Sequence, residues 1–179
     1  MKKLVYILAI LFLFTSCDQV VFPEPQPRKV KELKEVPADL QGIFLDKEGD
    51  SLFVYEHSFS YYSDEFTSLQ NIYLSDSAVL KKYRDRYFYS SRIMLNQEYY
   101  WLCYILHPFD DGSGFDLYAM DPDDVVKLAK LEEITSKVRD IEEETSYYLF
   151  APKKKDYKKI ISDTIFSKMI SFRKISSLD

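Results

Sequence analysis

The chain holds little glycine, histidine or cysteine, and each shortage removes a class of function. Its 4 glycines, at 42, 49, 112 and 114, all fall in or beside predicted turns. None sits in a glycine-rich loop leading into a helix, so phosphate-loop and dinucleotide fingerprints are absent. Cysteine occurs only at 17 and 103, and the 2 histidines are His57 and His107. These give no zinc-ligand spacing. Acyl or group transfer needs a poised nucleophile or base, and here the supply is thin. Cys103 and His107 would meet on a helix, but along a strand they stand about 13 Å apart. The run Tyr99-Tyr100-Trp101-Leu102-Cys103-Tyr104-Ile105-Leu106 favours a strand, so a Cys-His dyad conflicts with the local pattern. Cys103 reads instead as a buried thiol packing as a small hydrophobe. For calcium, Asp110, Asp111 and Asp116 surround a Gly-containing turn, but the EF-hand spacing and its terminal glutamate are missing. Backbone preference for Asp and Gly in turns explains them. No metal and no cofactor is expected.

The start of the chain is its most specific feature. Lys2 and Lys3 precede an apolar run from Leu4 to Phe14, followed by Thr15, Ser16 and Cys17, which is the order of an export signal. The run is well short of the roughly 20 residues that span a hydrocarbon core. Phe14-Thr15-Ser16-Cys17 resembles the lipobox of bacterial lipoproteins, with Phe14 in place of the usual Leu. The resemblance implies cleavage of residues 1–16 by signal peptidase II after the Cys17 thiol has received a diacylglyceryl group. Two or three acyl chains, at about 0.8 kcal/mol per buried CH₂, make such attachment effectively permanent. Cys103 is then the only free cysteine, and no intrachain disulfide can form. The low glycine content, the abundance of Tyr and Lys, and the Phe22-Pro-Glu-Pro-Gln-Pro27 segment are similar to small lipoproteins of Bacteroidetes-type bacteria. Asp18 marks inner-membrane retention in enterobacterial lipoproteins. No acidic cluster of the kind found on surface-exported lipoproteins follows Cys17, so the resemblance implies an outer-membrane protein facing the periplasm.

Lys2 and Lys3 leave with the signal, so the remaining chain carries a formal charge of −7 against −5 for the whole. An acidic globule is a poor binder of nucleic acid or anionic lipid. With 46% hydrophobic and 16% aromatic residues the composition is foldable rather than disordered, and the length fits one domain. Residues 17–38 are rich in Pro, Lys and Glu and read as a tether in extended polyproline II, standing a domain of residues 39–179 off the bilayer. The alternative is that Val20, Val21 and Phe22 pack onto the domain.

Within the domain, strands are expected at 42–46, 51–55, 58–62, 69–74, 78–83, 87–95, 99–107 and 115–120, enriched in Tyr, Phe and β-branched residues. The pair 99–107 and 115–120 forms a hairpin around Asp110-Asp111-Gly112-Ser113-Gly114, its first arm apolar enough for a central strand covered on both faces. At Asp121-Pro122 the period changes to 3.6, with Asp121 as N-cap and Val125, Leu128, Leu131 and Ile134 as one stripe. After a charged link comes a strand at 147–150. A second helix opens at Pro152 with the basic start Lys153-Lys154-Lys155 and an apolar face of Tyr157, Ile160, Ile161, Thr164 and Ile165. A last strand covers 169–175. The expected fold is α+β, a mostly antiparallel aromatic-rich sheet with two C-terminal helices.

These features predict a membrane-anchored envelope lipoprotein that is non-enzymatic and binds another protein or assists a complex. Tyrosines at 61, 62, 73, 83, 87, 89, 99, 100 and 104 make a glycan-binding face the first alternative, because flat aromatic surfaces stack on sugars, although strand packing also places tyrosine there. An envelope hydrolase using carboxylates near His57 or His107 is the second. An immunity role against toxins entering the envelope is a further possibility that no residue selects.

Overall fold

The computed structural model describes residues 19–63, 66–142 and 146–177. The signal segment 1–16 and the lipidation residue Cys17 lie outside the described residues. Twelve strands and two short helices follow in the order β1 (Gln19–Val21), β2 (Gly42–Leu45), β3 (Ser51–Val54), β4 (Ser58–Ser63), β5 (Phe66–Tyr73), β6 (Ala78–Tyr83), β7 (Arg86–Leu95), β8 (Glu98–Pro108), β9 (Gly114–Met120), α1 (Val125–Ile134), β10 (Lys137–Glu142), β11 (Ser146–Phe150), α2 (Tyr157–Ser162) and β12 (Phe166–Ser176). Nine of them form one antiparallel sheet, β5-β4-β3-β2-β12-β9-β8-β7-β6, and β1-β11-β10 form a small second sheet. The molecule is thus mostly antiparallel sheet, and its helical layer is thinner than an α+β protein ordinarily carries.

The large sheet curls on itself. Phe59 of β4 and Leu80 of β6, far apart in strand order, belong to one buried cluster with Phe44, Tyr87, Phe115 and Phe172. Phe44 and Phe115 meet edge to face at 5.1 Å, and Phe115 lies 5.5 Å from Phe172. Burying such rings contributes about 1.5–3 kcal/mol apiece. The outer face of β6 to β9 is covered by the helices and the small sheet, with Phe88, Cys103 and Ile105 packed against Leu131, Phe150 and Tyr157. This confirms β8 as a strand covered on both faces. Its hairpin to β7 turns through Asn96 and Gln97, both at positive φ (49° and 65°), as the tight turns that match strand twist require.

The segment expected to be a tether is part of the fold, a correction to the sequence reading and in line with its alternative. β1 pairs in parallel with β11, Val20 opposite Tyr148. Val21 is 0% exposed and Phe22 1%, and Phe22 exchanges backbone hydrogen bonds with Trp101. Downstream, the Leu33 amide donates to the Leu80 carbonyl and the Val36 amide to that of Glu56. The segment therefore crosses from the edge of β6, where Glu32 bridges Lys81, to the β3–β4 turn, and Val36 and Leu40 complete the inner core. The three prolines read as polyproline spacers, but Val20, Val21 and Phe22 ahead of them supply apolar surface that packing rewards more than extension.

The helices are shorter than their periodicity. α1 is capped by Asp124, whose side chain accepts from the Lys127 amide, while Asp121 is spent on a turn with Asp123. Val125 then falls at the helix start, 72% exposed, outside the buried stripe. Lys153 to Lys155 precede α2, whose first residue is Tyr157; the basic residues of its first turn are Lys158 and Lys159. α2 ends at Ser162 because Thr164 turns left-handed at φ 53°, and Ile165 is buried beyond the helix. The charged link after α1 is β10, which the mixed charges of Lys137-Val-Arg-Asp-Ile-Glu concealed; Ile141 is its buried residue.

Candidate functional site

The sequence candidates fall in separate places. Cys103 on β8 is buried, and burial pushes its thiol up to about 12, so at neutral pH it is not a thiolate. Around it lies a polar network under the N-terminal segment. The Gln26 amide donates to Ser90 Oγ at 3.1 Å, the Tyr157 hydroxyl to Gln26 Oε1 at 3.0 Å, and Lys81 Nζ to the Pro25 and Pro27 carbonyls at 2.8 and 3.4 Å. Burial lowers the Lys81 pKa, with Glu32 and Glu24 acting the other way. Every group of this network is engaged in docking residues 22–27 onto the sheet.

His107, Asp116 and Ser171 stand in one row across β8, β9 and β12, His107 opposite Asp116 and Asp116 opposite Ser171. These are the residue types of a hydrolytic relay, but in the wrong order, since the relay needs the imidazole between hydroxyl and carboxylate. Here the carboxylate is central: Ser171 Oγ donates to Asp116 Oδ1 at 2.7 Å, and Lys168 Nζ lies 2.7 Å from the same oxygen. Burial raises the Asp116 pKa, but Lys168 and Ser171 outweigh it and hold the carboxyl below its usual value. The imidazole turns away to Asp85, Nε2 to Oδ2 3.3 Å. His57 is exposed on a turn, 3.6 Å from Glu56, with Nδ1 3.3 Å from the Lys34 carbonyl. Neither histidine faces a hydroxyl or thiol in these contacts.

The acidic residues considered for calcium are not brought together: Asp111 accepts from the Ser113 amide to hold its turn, and Asp116 is committed to Ser171 and Lys168. The carboxylates that do converge are Asp46, Glu48 and Asp50, with one oxygen of each lying within 4.8 Å of the others. They shape the β2–β3 turn, where Asp46 Oδ1 accepts from the amides of Glu48 and Asp50 at 2.8 and 3.0 Å. Tyr61 donates to Asp50 Oδ2 at 2.7 Å, and burial together with this bond pushes its phenol up to about 12. An open groove of about 620 Å³ between residues 30–34 and the β5–β6 turn has mixed charge and presents no poised group.

The nine tyrosines singled out in the sequence do not form one face. Tyr87 is 1% exposed, Tyr100 4%, and Tyr61 packs inward on the core. Sequence periodicity missed the surface that does form. On the outer side of β2 to β5, Phe53 pairs with Ser60, Ser60 with Asn71 and Ser58 with Tyr73, while Tyr62 pairs with Ser51. Tyr55 is 42% exposed, Tyr62 45% and Tyr73 66%, and the rings of Phe53 and Tyr55 lie nearly parallel, 6.5 Å apart. Neither helix packs here, because both sit on β6 to β9. Hydroxyl, amide and aromatic side chains make up this face, without a charged group at the positions named, and it ends at β5, the last strand of the sheet. The signal in the sequence was the alternation in Ser51-Leu-Phe-Val-Tyr55, which puts Phe53 and Tyr55 on one side.

No family model, curated protein or solved structure matches this chain. Among the described residues no helix is long and apolar enough to cross a membrane.

Proposed function

We propose that the protein is a non-enzymatic binding module of the cell envelope, anchored through lipid on Cys17 to the outer membrane on its periplasmic side, and that it engages another envelope protein through the outer face of β2 to β5. The carrying observation is the uncovered face of Phe53, Tyr55, Tyr62 and Tyr73, with side-chain exposure of 66% at Tyr73. Aromatic enrichment with depletion of charge is the composition of an interface core, and rigid aromatic side chains carry most binding energy in such patches. Among the described residues β5 is the last strand of the sheet, and such an edge adds main-chain donors and acceptors of the kind a partner strand uses. The order of His107, Asp116 and Ser171 supports binding over hydrolysis.

In-cell photocrosslinking from Tyr62 and Tyr73 tests this reading, with Cys17→Ala as the unanchored control. A single protein captured from both positions in the anchored form supports it. Capture of none, with normal protein levels, overturns it. A neutral glycan is the second reading, favoured by the exposed rings of Tyr55, Tyr62 and Tyr73, since flat aromatic surfaces stack on sugars. Retention on immobilised polysaccharide, lost in Tyr55→Ala and Tyr73→Ala, would select it.

A further inference from the structure

A single residue, Asp18, separates the lipidation position from the first strand, and this bounds where the fold sits. Whatever their conformation, Cys17 and Gln19 cannot be more than about 7 Å apart between Cα atoms. Gln19 is already paired with Tyr147 in β1, and the residues after it are locked by the Phe22–Trp101 and Lys81–Pro25 hydrogen bonds. The headgroup layer of one leaflet is itself about 5–7 Å thick. No slack remains to lift the domain clear of it. Gln19 shares a recess of about 170 Å³ with Met120 and Met169. Met169, at a register shift in β12, is 60% exposed, and half-buried Tyr147 stands on the other side of Gln19.

Resting on the anchored reading above, we propose that the rim formed by Met120, Tyr147 and Met169 around Gln19 is a membrane seat, embedded in the headgroup layer of the bilayer that holds the Cys17 lipid. Thioether and phenol side chains suit that layer, being apolar in body and tolerant of water. The chain after Cys17 carries a formal charge of −7, so the seat fits a zwitterionic phosphatidylethanolamine surface rather than an anionic one. Seating also fixes orientation. From Met120 to Gly114 along β9 is about 20 Å. Gly114 pairs with Arg173, and Arg173 with Leu45, so the turn holding Glu48 lies at the far end of the sheet, directed away from the bilayer.

The test uses the full protein purified from membranes and reconstituted in phosphatidylethanolamine/phosphatidylcholine vesicles. Buried Cys103 leaves an introduced thiol as the reactive one, so Met169→Cys and Glu48→Cys each take a single fluorophore. Spin-labelled headgroups should quench the Met169 label strongly and the Glu48 label little. Insertion of a flexible Gly/Ser linker of about 20 residues after Asp18, with ends averaging about 25 Å apart, should reduce the first to the level of the second. Equal quenching at both positions in a protein whose Cys17 bears lipid by mass overturns the seat and leaves the anchor standing. Absence of lipid on Cys17 overturns the anchored reading, and the seat with it.

Discussion

Lys81 Nζ lies 2.8 Å from the carbonyl oxygen of Pro25 and donates to it, so a buried cation on β6 holds down a segment more than fifty residues earlier. Its side chain is 6% exposed. Lys81→Met keeps the stem and removes the donors, taking from the Pro25 carbonyl its Lys81 hydrogen bond, while the Pro27 carbonyl keeps the Val30 amide. The expected loss is about 1–3 kcal/mol in urea unfolding. A midpoint equal to that of the unmodified protein would show that the segment docks without this contact.

Phe22 distinguishes a docked segment from a tether more sharply. As part of a tether its ring would contribute nothing to the domain. At 1% exposure within the outer core, Phe22→Ala should cost about 3–5 kcal/mol, read as a lower denaturation midpoint. Glu24→Ala nearby, which breaks a half-exposed ion pair with Arg28 and removes a more distant charge from Lys81, should change stability by less than about 1 kcal/mol.

How much of this was legible depended on whether neighbours in sequence or in space decide the structure. The β8–β9 hairpin was, because its Asp-Gly turn and alternating arms are local. The docking of residues 19–36 was legible only as the alternative that Val20, Val21 and Phe22 pack onto the domain, because its partners Ser90 and Tyr157 lie 64 and 131 residues from Gln26, and Trp101 comparably far from Phe22. β10 was hidden by surface charge on an edge strand, and the aromatic face by the fact that only pairing across strands puts Tyr73 beside Ser58. At Cys103 the apolar run was enough to read a buried thiol.

That thiol offers a kinetic measurement. With Cys103 buried and its pKa pushed up to about 12, alkylation in the native state has to wait for opening of the structure. Maleimide should label Cys103 orders of magnitude more slowly than a peptide thiol, and Lys81→Met should speed labelling, because the segment over β8 opens more often. Rapid labelling of the unmodified protein would contradict the burial.

Thr164 holds a β-branched side chain at φ 53°, where L-residues pay about 1–2 kcal/mol. The conformation lets the Ile165 amide donate to the Ile160 carbonyl and buries Ile165. Thr164 is exposed, so little packing is lost on truncation. Thr164→Gly should therefore stabilise the protein by up to about 1 kcal/mol after the added flexibility of the unfolded chain is counted. Thr164→Val, equally branched, should give no gain.

Asp116 sets the acid limit of the sheet. Lys168 and Ser171 hold its carboxyl below the usual value of 3.8 despite opposing burial, so the folded state binds this proton less readily than the unfolded chain. Its contribution is therefore fully present above the unfolded pKa, and it is lost as pH falls from there through the depressed folded value. Asp116→Asn should flatten the fall in stability below about pH 4 while lowering stability at pH 7, where the carboxylate accepts from Ser171 and pairs with Lys168. Ser171→Ala removes one of the groups that depress the pKa, leaving Lys168 and Tyr118, so the gap between folded and unfolded values narrows: stability at pH 7 should drop and the fall below about pH 4 should be shallower than in the unmodified protein. Parallel acid profiles for all three proteins would mean that Asp116 titrates alike folded and unfolded, and the row across β8, β9 and β12 would then have no electrostatic role.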